Sequence, residues 1–314
     1  MKAKLSILLL IVVALITLFL LYETGGHWDY VIPRRAKKIL AMILTGSAIA
    51  FATIIFQTIT NNRILTPSIL GLDSLYMLFQ TFIIFVFGST TLTSTDRNIN
   101  FIISVVLMIG FSGVFYKLLF RKEGQSNIYF LLLIGMVLGT FFGSISTFME
   151  VLIDPNEFLM LQDKMFASFN NVNTDLLIIS IVAIIGVTFY FMKFTKYLDV
   201  ISLGRDHAIN LGVNYDYVVK RLLVVVAILM SIATALVGPI TFLGLLVVNV
   251  AHQFLKTYKH KYLIFGSILI SIIALIGGQF IVEKVFTFST TLSVIINFVG
   301  GVYFIYLLLK ENKS

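Results

Sequence analysis

The chain has 314 residues, 59% of them hydrophobic and 12% charged, with a formal net charge of +8. Soluble domains carry about 25% charged residues, so the composition excludes one and gives an all-α polytopic membrane protein, with room for roughly eight to eleven spans at about 20 apolar residues each. The absence of cysteine excludes disulfides, thiolate metal sites and Cys nucleophiles.

Hydrophobic runs fall at about 5–22, 39–58, 68–88, 100–119, 128–152, 175–194, 221–237, 240–255, 262–282 and 292–309, which predicts ten transmembrane helices in one domain over residues 1–314. The first run follows Lys2 and Lys4 as a signal peptide would. It is longer than a typical signal-peptide core, and YETGGHWDY offers no small-x-small cleavage site, so it is predicted as a retained span. Runs seven and eight touch at Gly238-Pro239, where a missing amide and a flexible residue predict a sharp break; one long kinked helix is the alternative.

With ten spans, Arg34, Arg35, Lys37, Lys38, Arg97, Lys164 and Lys284 fall on one side, and the other 16 of the 23 Lys and Arg on the side of the termini. The positive-inside rule places the richer side, and both termini, in the cytoplasm. PRRAKK (33–38) runs against this rule. Its cations either snorkel into the headgroup layer along the second helix or dock an acidic extracellular partner. Charge alone leaves both open.

The stretch Gly46–Asp73, GSAIAFATIIFQTITNNRILTPSILGLD, strings Gly46, Ala48, Ala50 and Ala52 along a helix, where small residues let backbones approach in lipid. Gln57 brings an amide that needs a partner near the helix end, and Pro67 ahead of Gly71 marks re-entry into the next span. Pro33, Arg34, Gly46, Gln57, Asn62, Pro67, Leu70 and Gly71 match a pattern that resembles the permease subunits of the iron-siderophore, haem and vitamin B12 family of ATP-binding-cassette importers. The resemblance implies that arginines at the outer edge grip acidic residues of a substrate-binding protein. Arg34 takes that role by match and Arg35 by proximity; Val31 and Arg63 depart from the pattern.

Between Lys193 and Arg221 the chain is too polar to span. Arg205–Leu211 can make two helical turns, with Asp206 complementing the helix dipole and Gly212 placed as a left-handed C-terminal residue. Leu203, Gly204, Ala208, Leu211, Gly212 and Val213 resemble the family's coupling segment, here about 195–220, which seats on the ATPase subunit with a small Ala at the contact; Arg205 stands where Glu is usual. Farther on, Gly238, Pro239, Ile240, Phe242, Gly244, Leu245 and Ala251 match the family's Gly-Pro motif, while Val248, Asn249 and His252 depart from it. TFLGLLVVN and MFASFNNVNTDLL look like the subgroup that imports catecholate siderophores such as petrobactin.

No phosphate-cradling G-x-x-x-x-G-K-[ST] loop is present, so ATP hydrolysis is expected on a partner. His27, His207, His252 and His260 lie in or beside loops without metal-ligand spacing, so no metal or other cofactor is expected. GQSN (124–127) and EVLIDPNEF (150–158) read as loops, and the stretch from EVLIDPNEF through FNNVNTD (150–175) is long enough to contribute to an outer gate. Asp73 and Glu150 sit near span ends, whereas an ion-coupled carrier would bury acids along its path.

The resemblance implies a multi-pass permease of the bacterial cell membrane, embedded in lipid and without nucleic acid. Its partners would be a second permease subunit, two ATP-binding-cassette subunits, an extracellular substrate-binding lipoprotein and a ferric siderophore. The second permease is expected to be a different chain, with a homodimer as the alternative. Haem or cobalamin is the alternative cargo, and a gradient-driven carrier the alternative mechanism.

Overall fold

A computed structural model describes residues 1–23, 26–88, 97–119, 128–170, 172–288 and 290–311. Arg121, Lys122, the GQSN loop and Lys313 lie outside them. The described residues form α-helices and one 3-10 turn, without a strand. In chain order they are α1 (Lys2–Leu21), α2 (Trp28–Thr60), the 3-10 turn Pro67–Leu70, α3 (Leu72–Phe87), α4 (Arg97–Leu119), α5 (Ile128–Leu152), α6 (Pro155–Met165), α7 (Thr174–Met192), α8 (Thr195–Ile201), α9 (Arg205–Asn210), α10 (Tyr215–Val237), α11 (Leu243–Leu255), α12 (His260–Lys284) and α13 (Leu292–Glu311).

Ten of these helices coincide with the ten hydrophobic runs, and eight of the ten are long and apolar enough to cross a membrane. The other two, α3 and α11, have 16 and 13 residues. The break at Gly238-Pro239 separates α10 from α11 as two helices rather than one kinked rod. Helix α2 is longer than its apolar run: its 33 residues begin at Trp28, so PRRAKK is helical and not a loop. The stretch read as a loop at 150–158 contains the start of α6, whose N-cap Asp154 accepts from the Asn156 N–H at 2.9 Å.

Helices α2 and α10 form the buried centre, and α12 packs beside α2. Small residues permit this: Ala41, Ala48, Ala50 and Ala52 of α2 are fully buried. At Gly46 an added Cβ would meet Ser271 Oγ at 2.7 Å and Leu275 Cδ1 at 2.9 Å, so any larger residue would require these α12 side chains to shift.

Both short helices follow non-helical backbone that lies within the bundle. Gly71, left-handed at φ +77°, has its missing Cβ 2.9 Å from the Cα of Gly139, halfway along α5. Only glycines on both sides allow that approach. Ahead of α11, Phe242 reaches the middle of α13, where a Cβ on Gly300 would meet its own Cβ at 2.4 Å. Unpaired backbone groups cost several kcal/mol each in hydrocarbon and are tolerated only where protein satisfies them. Asn297 Oδ1 accepts from the Phe242 N–H at 3.4 Å, and Asn62 Oδ1 from the Ile64 N–H at 2.8 Å.

Two faces terminate the bundle. At one, Lys4 Nζ donates to the Phe254 carbonyl at 2.6 Å and Gln253 to the Tyr303 hydroxyl at 2.9 Å, which gathers the beginning of α1, the end of α11 and the latter half of α13. This is the terminal face. At the opposite face α2 begins and α12 ends, joined by the Lys38–Glu283 ion pair at 2.8 Å.

Candidate functional site

The sequence expectations divide between the two faces. At the opposite face a cavity of about 850 Å³ is lined by Tyr30, Arg34, Lys37 and Lys38 of α2, Asn170 and Asn173 ahead of α7, and Glu283 and Phe288 at the end of α12. The four cations of PRRAKK have different surroundings. Arg35 donates to the carbonyls of Phe19, Leu20 and Tyr22 at 3.1, 3.0 and 2.6 Å. These belong to the last turn of α1, whose carbonyls have no helical partners, so Arg35 caps that helix. Lys38 pairs with Glu283. Arg34 is exposed, its guanidinium stacked 4.0 Å from the Tyr30 ring centroid. Lys37 is exposed and lines the cavity. Nearby, Lys284 pairs with Glu23 and holds its carboxyl below the ordinary range.

At the terminal face, α8, α9 and the turn after them form the segment matched to the family's coupling motif. Gly204 (φ +98°) opens α9, and Gly212 (φ +80°) closes it in the left-handed conformation predicted for it. Asp206 stands in the first turn of α9. Ala208 is fully buried within the chain, so its small side chain seats the segment on its own bundle. Its exposed apolar side chains are Leu203, Ile209 and Leu211, 56%, 46% and 64% exposed, and Asp206, His207 and Asn210 are exposed beside them. Arg205, in place of the family's Glu, lies 3.7 Å from Asp216.

The structural motif residues hold separate joints of the bundle. Gln57 Nε2 donates to the Arg63 carbonyl at 2.7 Å, and Asn249 Nδ2 donates to the same carbonyl at 2.9 Å. One acceptor in the non-helical stretch before the 3-10 turn is thus held by amides from α2 and α11. Asn249, a departure from the family pattern, serves the same joint as the matched Gln57. Pro67 is buried at the start of the 3-10 turn. At Gly244 a Cβ would meet Thr53 Oγ1 at 2.1 Å, and at Gly238 (φ +102°) it would meet the Ala167 Cα at 3.1 Å.

Reading the sequence missed a polar chain at the terminal face. His260, 5% exposed, lies between Asp199 of α8 and Thr58 of α2: Nδ1 is 2.5 Å from Asp199 Oδ1, and Nε2 is 2.9 Å from Thr58 Oγ1. Burial raises the Asp199 carboxyl, but hydrogen bonds from the His260 ring and backbone outweigh this and hold it below the ordinary range. No spacing rule joins residues 58, 199 and 260. Among the described residues no group of three or more His, Asp or Glu could hold a metal.

A model of the FecCD transport family matches residues 5–310. The chain belongs to that family. It is similar to the petrobactin import system permease protein YclO of Bacillus subtilis (strain 168), 67% identical over 313 residues that cover 100% of this chain and 99% of the relative. From Bacillus anthracis, the petrobactin import system permease proteins FatC and FatD are 40% and 27% identical, covering 90% and 98% of this chain and 79% and 91% of their own lengths. Among solved structures, a metal-chelate type ABC transporter in an inward-facing conformation matches with a TM-score of 0.84 at 19% identity, over 98% of this chain and 99% of that one. This FecCD-family chain is accordingly a multi-pass membrane permease of an import system, the class that its motifs resemble.

Proposed function

We propose that the chain is one half of a paired permease that imports a ferric catecholate siderophore of the petrobactin type, driven by ATP hydrolysis on partner subunits. The observation that carries this reading is the placement of two unlike surfaces at opposite ends of one bundle. A cavity lined by cations lies at one end, and a segment that exposes Leu203, Ile209 and Leu211 at the other. In this reading the terminal face is cytoplasmic, and Leu203, Ile209 and Leu211 seat in a groove of the ATPase. The cavity faces outward and receives acidic side chains of a substrate-binding lipoprotein, with Arg34 and Lys37 as the available cations and Arg35 shaping the site from behind.

The second permease is a different chain. In its support, FatC and FatD are two distinct petrobactin import permeases of one organism, and this chain is 40% identical to one and 27% to the other. Pairing places a path between two bundles, wide enough for a metal chelate.

The test is purification of the chain with its co-expressed neighbours, reconstitution in vesicles, and ATPase measurement with binding protein loaded by ferric petrobactin, ferric hydroxamate, haem or cobalamin. Stimulation by the ferric catecholate and a 1:1 ratio of two permease chains are expected. Stimulation by haem or cobalamin alone would reject the cargo. Uptake by the lone chain under a proton or sodium gradient would reject the mechanism.

A further inference from the structure

Helices α2 and α12 both run between the two faces, and polar contacts fasten them to each other at each end. At the cavity end Lys38 of α2 pairs with Glu283 of α12 at 2.8 Å, with side chains only 19% and 13% exposed. At the terminal end Thr58 of α2 lies 2.9 Å from the ring of His260, the first residue of α12. With 33 residues in α2 and 25 in α12, the pair makes two long struts at about 1.5 Å per residue.

The terminal fastening reaches one element farther. Asp199 Oδ1 is 2.5 Å from His260 Nδ1 and accepts the His260 backbone N–H at 3.1 Å. Asp199 belongs to α8, the first arm of the coupling segment. The Thr58 hydroxyl lies 2.9 Å from Nε2 and 2.7 Å from the Ile54 carbonyl of its own helix. An ionised carboxylate has no proton to give, so Asp199 accepts from Nδ1. The ring thus links three elements, with an ionised acceptor at the Asp199 end that makes that bond charge-assisted. Elsewhere α8 is held by apolar burial of Leu198 and Ile201, which resists separation but gives little direction. Hydrogen bonds with fixed geometry transmit displacement where apolar contacts allow sliding.

We propose that His260 is the positioning residue that fixes the coupling segment to the α2–α12 pair, so that a shift of these struts at the cavity is delivered to the segment through Asp199 and Thr58. This rests on the assignment of the two faces made above. His260 touches neither cargo nor nucleotide; it acts by holding α8 in register with the struts. Because coupling is reciprocal, binding-protein docking and ATPase engagement each bias the other through the same bridge.

The experiment uses the complete transporter in vesicles: both permeases, the ATPase pair and the loaded binding protein. Asp199→Asn, Asp199→Glu, Thr58→Val, His260→Ala and the double variant Asp199→Asn with His260→Ala are compared with the parent. Subunit assembly, binding-protein affinity, stimulated hydrolysis and cargo moved per ATP are read for each. Asp199 has a largely exposed side chain, 58%, so its variants test the bridge even if His260→Ala fails to fold.

Asp199→Asn and His260→Ala are expected to assemble and hydrolyse ATP but to move at least about fivefold less cargo per ATP, the lower end of typical coupling energies. Asp199→Glu should recover part of the loss, and the double variant should be no worse than the worse single. Cargo per ATP within twofold of the parent in Asp199→Asn would overturn the proposal, as would losses that multiply in the double variant. Failure of the parent to assemble with an ATPase or a binding protein would instead sink the face assignment and this inference with it.

Discussion

The two faces of the bundle hold charge differently. At the cavity, three of the four PRRAKK cations have local partners: Arg35 on the α1 carbonyls, Lys38 on Glu283 and Arg34 on the Tyr30 ring. At the coupling segment three apolar side chains, Leu203, Ile209 and Leu211, are exposed among the polar Asp206, His207 and Asn210, and Arg205 is close to Asp216 of the same chain. A face that works by charge should give fast, salt-sensitive encounters. A face that works by apolar burial should give a durable, salt-tolerant seat. In the proposed assembly the first face takes a transient partner and the second a permanent one.

The strongest way to break this contrast is Leu203→Glu together with Leu211→Glu. Burial of each leucine contributes about 1.5–3 kcal/mol, so loss of both should weaken ATPase association at least about a hundredfold and abolish uptake. Binding-protein affinity should be unchanged. Retention of the ATPase through purification at ordinary salt would show that the seat lies elsewhere. Arg34→Glu probes the other face. Reversing one rim charge should weaken binding-protein association roughly tenfold at low salt and flatten its salt dependence, since screening acts over about 8–10 Å at moderate ionic strength. Unchanged affinity at low salt would remove Arg34 from the docking surface.

The sequence made much of this architecture legible for a physical reason: a bilayer forces apolar runs, and breaks at membrane depth require Gly, Pro and amides. Pro67-Gly71 and Gly238-Pro239 announced both non-helical stretches, and Gly204 and Gly212 bracketed α9 as expected. Helix α6 was missed because an interfacial helix has no apolar run, although Asp154 followed by Pro155 is a helix-start signal. The beginning of α2 was missed because the apolar run starts only at residue 39 and the four cations ahead of it carry no hydrophobic signal, while a proline in the second turn removes one amide without ending the helix. Partners distant in sequence stayed hidden. Gln57 demanded an acceptor, but only the fold shows that Asn249 shares it. Ala208 was read as a contact for the ATPase; its burial makes it the segment's inner seat.

Arg35 sharpens the contrast by separating structure from docking within a single cluster. Arg35→Ala removes a charged donor from three carbonyls, and hydrogen bonds to charged groups contribute about 1.5–3 kcal/mol. The purified permease should therefore melt several degrees lower, while binding-protein affinity falls by less than about threefold because the charge is turned toward α1 and not the partner. Arg35→Lys should restore only part of the stability, since an ammonium lacks the planar fork that reaches several acceptors. A loss of docking without a loss of thermal stability would reverse the roles given to Arg34 and Arg35.

Lys37 is expected to show the smallest effect and tests the assignment most narrowly. It lines the cavity on the same helix as Arg34, three residues on, which places the two on neighbouring positions of one face. An exposed ammonium on a long stem meets a partner's carboxylate in high dielectric and gives up side-chain entropy to do so, so the pair is worth about 0.2–1 kcal/mol. Lys37→Ala should thus weaken docking only about twofold, chiefly through a slower association rate, and the difference should vanish at high salt. If Lys37→Ala instead speeds dissociation or leaves the association rate untouched at low salt, the cavity would not be an electrostatic guide, and Lys37 would be an anchor for the headgroup layer.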